Sequence, residues 1–167
     1  GFLEPWLTHE EHRATLESFS QAVGIDLVLH GTRSDEATIK DTAIAQPLIV
    51  AAGLLAGRAL LTGLPAGTPL AFAGHSVGEF TAAALSGVLS DEEALKLVAA
   101  RGAAMAVASA LTPSGMAAVL GADPEELLSE LKARGISAAN FNGGGQIVVA
   151  GSREALSEFA ANPPVGT

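Results

Sequence analysis

Ser76 sits in the run Gly74-His75-Ser76-Val77-Gly78, with a glycine two positions to either side. The short apolar stretch Pro69 to Ala73 precedes it and reads as a buried strand. The alanine-rich stretch Glu79 to Ser86 follows and reads as a helix. A serine on such a strand-to-helix bend is a nucleophile elbow. The bend is tight and strained, so Cβ atoms are expected to be excluded at both 74 and 78. The hydroxyl is then presented at a helix N-terminus. There the Val77 N–H can face a developing oxyanion, and the helix dipole favours negative charge. The same residues also fit a plain strand–helix turn with a serine N-cap.

Arg101 is the second residue with chemical potential. Its helix carries Ala94, Leu97, Val98, Gly102 and Met105 along one apolar stripe at i, i+3, i+4 spacing, and Arg101 falls on it. A charge aimed into an apolar face needs a partner or an anionic ligand. The guanidinium fork matches a carboxylate through two parallel hydrogen bonds. Periodicity alone equally allows an arginine whose stem packs while its head reaches water. The four histidines (His9, His12, His30, His75) show no metal-ligand spacing, and there is no cysteine. His9 and His12 lie three apart on one helix face, which reads as solvated. No metal site is expected.

The elements that must position these residues follow from caps and breakers. Thr8 and Glu11 suggest a capping box for a helix over 9–22, stopped by Gly24. Ser34-Asp35-Glu36 opens a short helical turn, and Thr42 to Leu61 reads as a long helix if Pro47 lies near its first turn. Leu64 to Thr68 reads as a loop. Ser90 and Glu93 form a second capping box for a helix running to about Ala108. Thr112-Pro113-Ser114-Gly115 marks a boundary. Beyond it, a strand at Met116 to Leu120 leads to a helix opened by Asp123-Pro124 and stopped by Gly135. Strands at Ile136 to Ala139 and Gln146 to Ala150 then flank a loop over 140–145. A last helix is capped by Ser152 and ends before Pro163. The β-α-β-β-α order is that of a ferredoxin-like unit without its final strand.

Composition narrows the function further. With 167 residues, 49% of them hydrophobic and 16% charged, the chain can bury a core. Its net charge of −9 argues against nucleic-acid binding. No run of 18 or more residues is free of polar groups, so no membrane span is expected. The start lacks the basic region of a signal peptide, and the absence of cysteine fits a cytosolic setting. The chain opens on Gly1 without an initiator methionine, so it is expected to begin inside a longer polypeptide.

The run Gly74-His75-Ser76-Val77-Gly78-Glu79, followed by Arg101-Gly102-Ala103-Ala104-Met105, resembles the malonyl-CoA:acyl carrier protein transacylases and the acyltransferase domains of polyketide synthases. The resemblance extends through Ile44-Ala45-Gln46-Pro47 and Asn140-x-Asn142-x-x-x-Gln146, so it covers essentially the whole chain. Its wording is nearest to actinobacterial members. It implies an α/β fold: residues 1–112 would belong to an α/β-hydrolase-like large subdomain with a parallel sheet, and 113–167 to a ferredoxin-like small subdomain, both incomplete. It implies that Ser76 takes malonyl from malonyl-CoA and passes it to the phosphopantetheine thiol of acyl carrier protein, with no bound cofactor. Arg101 would clamp the malonyl carboxylate, Val77 would donate its N–H to the oxyanion, and His75 and Gln46 would shape the pocket.

The family's opening strand, with a Gly-Gln-Gly motif, is not in this sequence, and neither is its general-base histidine, which comes well after the serine. No histidine follows His75. This chain alone is therefore expected to be weakly active or inactive. Two other readings share some of the features. An α/β-hydrolase esterase or thioesterase shares the elbow but leaves Arg101 unexplained. A carrier-protein-docking module would keep the fold without the chemistry, and would need a basic patch from Arg58, Lys96, Lys132 and Arg134.

Overall fold

The computed structural model describes residues 1–163. The chain forms an α/β protein with two compact units, Gly1–Val107 and Ala108–Thr167. The division falls inside a helix, slightly ahead of the Thr112-Pro113 stretch that composition marks.

The first unit is built of helices. A 3-10 turn, Glu4–Thr8, opens with Pro5 in its first turn, and the Thr8 hydroxyl donates to the Pro5 carbonyl at 2.9 Å. Thr8 is thereby used up, so the expected Thr8–Glu11 capping box does not form. His9 instead occupies the N-cap of α1 (Glu10–Val23), without a side-chain cap bond. Gly24 ends α1 in the left-handed region, as anticipated. A short α2 (Leu27–Thr32) was not anticipated. Its cap is Asp26, whose carboxylate accepts from the Leu29 N–H at 2.8 Å. His30 therefore lies on a helix, with Nδ1 2.8 Å from Ser34 Oγ. α3 (Glu36–Lys40) follows, capped by Asp35.

α4 (Thr42–Thr62) is the central helix of this unit. Asp41 caps it at the Ala43 N–H, 2.8 Å. Pro47 lies one turn further in than its tolerance suggested, so the Ala43 carbonyl has no amide partner there. Leu48, Val50, Ala51, Leu54 and Leu55 bury two sides of the helix against Leu16, Phe19 and Leu27. α5 (Gly78–Leu85) docks on α4 where α4 carries glycines. A Cβ at Gly53 would stand 2.9 Å from Thr81, and one at Gly57 would stand 2.4 Å from a Leu85 methyl. α6 (Asp91–Leu111) approaches the start of α4 at Gly102, where a Cβ would meet the Thr42 carbonyl oxygen at 2.6 Å. At the other end of α4, Arg58 donates to both Asp91 oxygens (3.2 and 2.6 Å) and to the Ala84 carbonyl (3.1 Å). One side chain thus ties α4 to the end of α5 and the start of α6. The Ser90–Glu93 capping box forms as expected: Glu93 accepts from the Ser90 N–H at 2.8 Å, and Ser90 Oγ accepts from the Glu93 N–H at 3.2 Å.

Two further expectations for this unit fail. Pro69 to Ala73 is exposed and forms no strand, and the parallel sheet is not formed by the described residues. A strand exists only through its ladder partners, and no described segment pairs with this one. The buried stripe of α6 is Ala94, Leu95, Val98 and Gly102, while Leu97 and Met105 are exposed. By length and composition only, α4 and α6 are each apolar enough to cross a membrane, as the core helix of a soluble protein also can be. In this fold α4 buries Gln46, Pro47, Leu48, Val50, Ala51, Leu54 and Leu55.

The second unit carries the only sheet among the described residues. β1 (Ser114–Leu120), β2 (Ser137–Gly143) and β3 (Gln146–Ser152) lie in the order β1-β3-β2, antiparallel throughout. α7 (Pro124–Ala133) is capped by Asp123 and α8 (Arg153–Ala161) by Ser152, as expected. The stretch 140–145 is mostly strand rather than loop. β2 and β3 meet in a tight turn at Gly144-Gly145, both with positive φ. Val119, Leu127, Leu131, Ile147, Val149 and Phe159 fill the core.

Two measurements test this packing. Gly102→Ala drives a Cβ into backbone and should destabilise by about 1–3 kcal/mol in urea unfolding. Gly57→Ala meets the movable side-chain end of Leu85, both methyls and Cγ, rather than backbone, and gains helix propensity, so it should cost clearly less than Gly102→Ala; equal losses would contradict the close approach at Gly102. The Ser90 N–H hydrogen bond lowers the Glu93 pKa below 4.5. A carboxylate with a lowered folded value contributes stability that is complete above its unfolded value and lost as pH falls through the folded one. Glu93→Ala should therefore flatten the acid limb of the stability profile below about pH 4.5 and barely change its shape above pH 6.

Candidate active site

The elbow is real in its backbone. Ser76 has φ of 55°, the only positive value at a non-glycine among the described residues. A β-carbon in that region is strained. The bend is closed by Gly78 N–H to His75 O (3.0 Å) and Glu79 N–H to Ser76 O (3.1 Å), which lead directly into α5. The two glycines have different roles. A Cβ on Gly74 would lie 2.2 Å from the Gly78 carbonyl group and 2.4 Å from the Glu79 nitrogen, so Gly74 is sterically required. A Cβ on Gly78 would meet nothing within 4 Å, which corrects the expectation that both positions exclude one.

Ser76 is exposed and its Oγ accepts a hydrogen bond from Arg101 Nη2 at 3.1 Å. The hydroxyl and guanidinium singled out by sequence are thus direct neighbours. Arg101 is half-buried beside the apolar stripe of α6 rather than on it. Its Nη1 donates to Gln46 Oε1. Gln46 is only 4% exposed and is the one buried polar side chain among the described residues. Its Nε2 donates in turn to Met105 Sδ at 3.2 Å. The network runs from α6 to α4, back to α6 and on to the elbow. Next to it, Thr42 Oγ1 donates to the Gly102 carbonyl at 3.3 Å.

The electrostatics are simple. Arg101 makes no ion pair among the described residues. Both its acceptors are neutral, so its charge is oriented but not cancelled. Val77 caps α5 with helical backbone angles, and N–H groups at a helix start lack intrahelical acceptors. A negative oxygen above Ser76 would meet a guanidinium and a helix N-terminus together.

The remaining candidates lie elsewhere. His75 is exposed and makes no hydrogen bond to Ser76. His9 and His12 stack edge to face at 5.4 Å, and no described cluster could hold a metal ion. Arg58, Lys96 and Arg134 are ion-paired within their own units, to Asp91, Glu92 and Glu130. A basic docking patch would have to break those pairs. Asn142 donates to Gln146 at 2.7 Å within the second unit. A concavity of about 820 Å³ lies against α1 and α2 and contains none of the elbow residues. Sequence reasoning treated Met105 only as a stripe residue. The signal for more was its place four residues after Arg101, on the same helix face.

Residues 9–163 match the acyl transferase domain family. A malonyl CoA-acyl carrier protein transacylase of Mycolicibacterium smegmatis is 47% identical over 162 residues, which cover 97% of this chain and 56% of that protein. One of Mycobacterium tuberculosis is 46% identical, over 98% of this chain and 55% of its own length. The chain spans about half the length of the curated relatives it matches. The crystal structure of MCAT from Mycobacterium tuberculosis has a TM-score of 0.93 at 46% identity, covering 99% of this chain and 55% of that one. A type II PKS acyl-carrier protein in complex with its malonyl-transacylase has a TM-score of 0.82 at 29% identity, over 97% and 55%.

The asymmetry of the elbow glycines gives a prediction. Gly74→Ala should lose about 1–3 kcal/mol or more of stability, as forced overpacking does. Gly78→Ala, at an open position in the first turn of α5, should change stability by less than about 0.5 kcal/mol. Denaturant midpoints of the two variants check this directly.

Proposed function

This chain belongs to the acyl transferase domain family, and on that premise we propose that it carries the acyl-accepting half of a malonyl-CoA:acyl carrier protein transacylase acting in fatty-acid or polyketide synthesis. The observation behind this is the 3.1 Å contact between Ser76 Oγ and Arg101, which has no ion-pair partner among the described residues. Ser76 Oγ attacks the thioester carbonyl of malonyl-CoA. Its proton passes to a base, the carbon–sulfur bond breaks and CoA leaves as the thiol. The phosphopantetheine thiol of acyl carrier protein then attacks the seryl ester and restores the serine. This is ping-pong covalent catalysis without a resident cofactor.

The residues divide the work by their chemistry. Malonyl ends in a carboxylate three bonds beyond the serine oxygen, within reach of the guanidinium that already touches that oxygen. Arg101 can pair it bidentately once it releases Ser76. The Val77 N–H faces the tetrahedral oxyanion. Gln46 orients Arg101, and the exposed His75 borders the pocket. Among the described residues no imidazole hydrogen-bonds Ser76. The reading therefore takes its general base from a histidine later in the family's chain and expects residues 1–167 alone to acylate slowly.

The finer fold assignment belongs to the same reading. The first unit is read as part of an α/β-hydrolase-like large subdomain, supported by the elbow and by α5 leading out of it. The second is read as ferredoxin-like, supported by its β-α-β-β-α order and its β1-β3-β2 sheet. A cytoplasmic setting accompanies these assignments, as does the absence of nucleic-acid and membrane partners.

Mass measurement of the intact encoded protein after exposure to malonyl-CoA tests the proposal. Ser76→Ala should gain no malonyl mass. Arg101→Ala should lose malonyl loading by about 2–5 kcal/mol, the usual result of truncating one member of a buried charge pair, while acetyl loading persists. Equal loss of both acyl groups would remove the clamp. Fast turnover of neutral nitrophenyl esters together with indifference to malonyl-CoA would favour an esterase.

A further inference from the structure

Gln46 bridges two residues with opposite hydrogen-bonding limits. A guanidinium has only donors, and a thioether has only an acceptor. Arg101 Nη1 meets Gln46 Oε1, and Gln46 Nε2 meets Met105 Sδ at 3.2 Å. The amide therefore has one orientation that satisfies both ends. Rotated by half a turn, it would set Nε2 against the guanidinium, donor to donor, and its oxygen against the sulfur. Gln46 is 4% exposed, so water offers it little alternative. Arg101 and Met105 lie four apart on α6, which brings both to the same residue of α4.

We propose that Met105 is a positioning residue for the acyl site: its thioether fixes the Gln46 amide, and the amide fixes the Arg101 guanidinium over Ser76. The inference rests on the carboxylate-clamp reading of Arg101 and deepens it. The sulfur touches no reacting atom. Its effect is on acyl preference, because only a carboxylate-bearing acyl group uses the guanidinium. Met105 is itself 41% exposed, so its side chain is not retained by burial alone. Without the sulfur, a buried amide N–H has no acceptor, and an orphaned buried donor of this kind destabilises its arrangement substantially.

The test measures malonyl and acetyl loading of Ser76 from the two CoA thioesters, using the intact encoded protein. Met105→Leu keeps the volume and removes the acceptor. It should lower the malonyl-over-acetyl preference about tenfold, the scale of one orphaned buried amide. Met105→Gln, which returns an acceptor of similar reach, should retain the preference. A merely structural role would depress both acyl groups together and would not distinguish leucine from glutamine. Arg101→Ala is measured alongside. If it abolishes the preference while folded Met105→Leu leaves it within about twofold, the clamp stands and the methionine link is overturned. If Arg101→Ala leaves the preference intact, the clamp fails and this proposal fails with it. Met105→norleucine, which exchanges only the sulfur for a methylene, keeps the test decisive should the leucine variant not fold.

Discussion

The site depends on holding one uncancelled positive charge still. Arg101 reaches Ser76 Oγ with one nitrogen and Gln46 Oε1 with another, and neither acceptor carries charge. A long flexible cation has many rotamers, and immobilising it without an ion pair costs entropy that Coulomb energy does not return. The geometry must therefore come from the scaffold. Three helices must hold their separations for the contact to exist, because Gln46 is on α4, Ser76 opens α5 and Arg101 is on α6.

α4 supplies that scaffold, and small residues supply its accuracy. Gly53 and Gly57 let α5 lie close, and Gly102 brings α6 onto the Thr42 carbonyl. The backbone contact at Gly102 allows less drift than the side-chain contacts at Gly53 and Gly57 do. Arg58 closes the other end. It differs instructively from Arg101. Asp91 accepts two hydrogen bonds from Arg58 and holds its pKa above the ordinary value. That arginine is neutralised and ties helices together. Arg101, a residue of the same type forty-odd positions later, has neutral hydrogen-bond partners, Gln46 and Ser76.

Local chemistry was mostly legible, the Thr8–Glu11 box excepted, and the pairing of the Pro69 to Ala73 segment was not. Asp123-Pro124, Ser90 with Glu93, Ser152, Gly24 and Gly135 all act where their types predict, because a cap or a left-handed stop is decided within a few residues. The elbow and Arg101 were legible as a serine between glycines and a charge near an apolar stripe. The strand over Pro69 to Ala73 was not, because its status depends on partners elsewhere. β2 was read too short because Asn140 and Asn142 look like loop residues, although the Gly144-Gly145 turn carries the strand through them. The flanks of the α6 stripe were misjudged because periodicity does not say how wide a neighbouring helix is. Gln46 gained its place from family resemblance alone. Its role needs one helix on each side, which no spacing along the chain can display.

A neutral amide beside Arg101 suits the proposed carboxylate-clamp role. A carboxylate at position 46 would also orient the guanidinium. At about 4 Å and an effective dielectric near 20, however, such a pair is worth about 4 kcal/mol. An incoming acyl carboxylate would have to compete with that attraction before gaining anything from the arginine. Glutamine supplies the direction of the hydrogen bond without the competing charge. Its own burial is tolerable because both ends of the amide are satisfied, by Arg101 and by Met105. Ser76 completes the arrangement as a weak acceptor that yields readily to a carboxylate. In the proposed clamp role, the freed hydroxyl would then lie beside the cation that pairs the acyl carboxylate, so binding and nucleophile alignment would become one event.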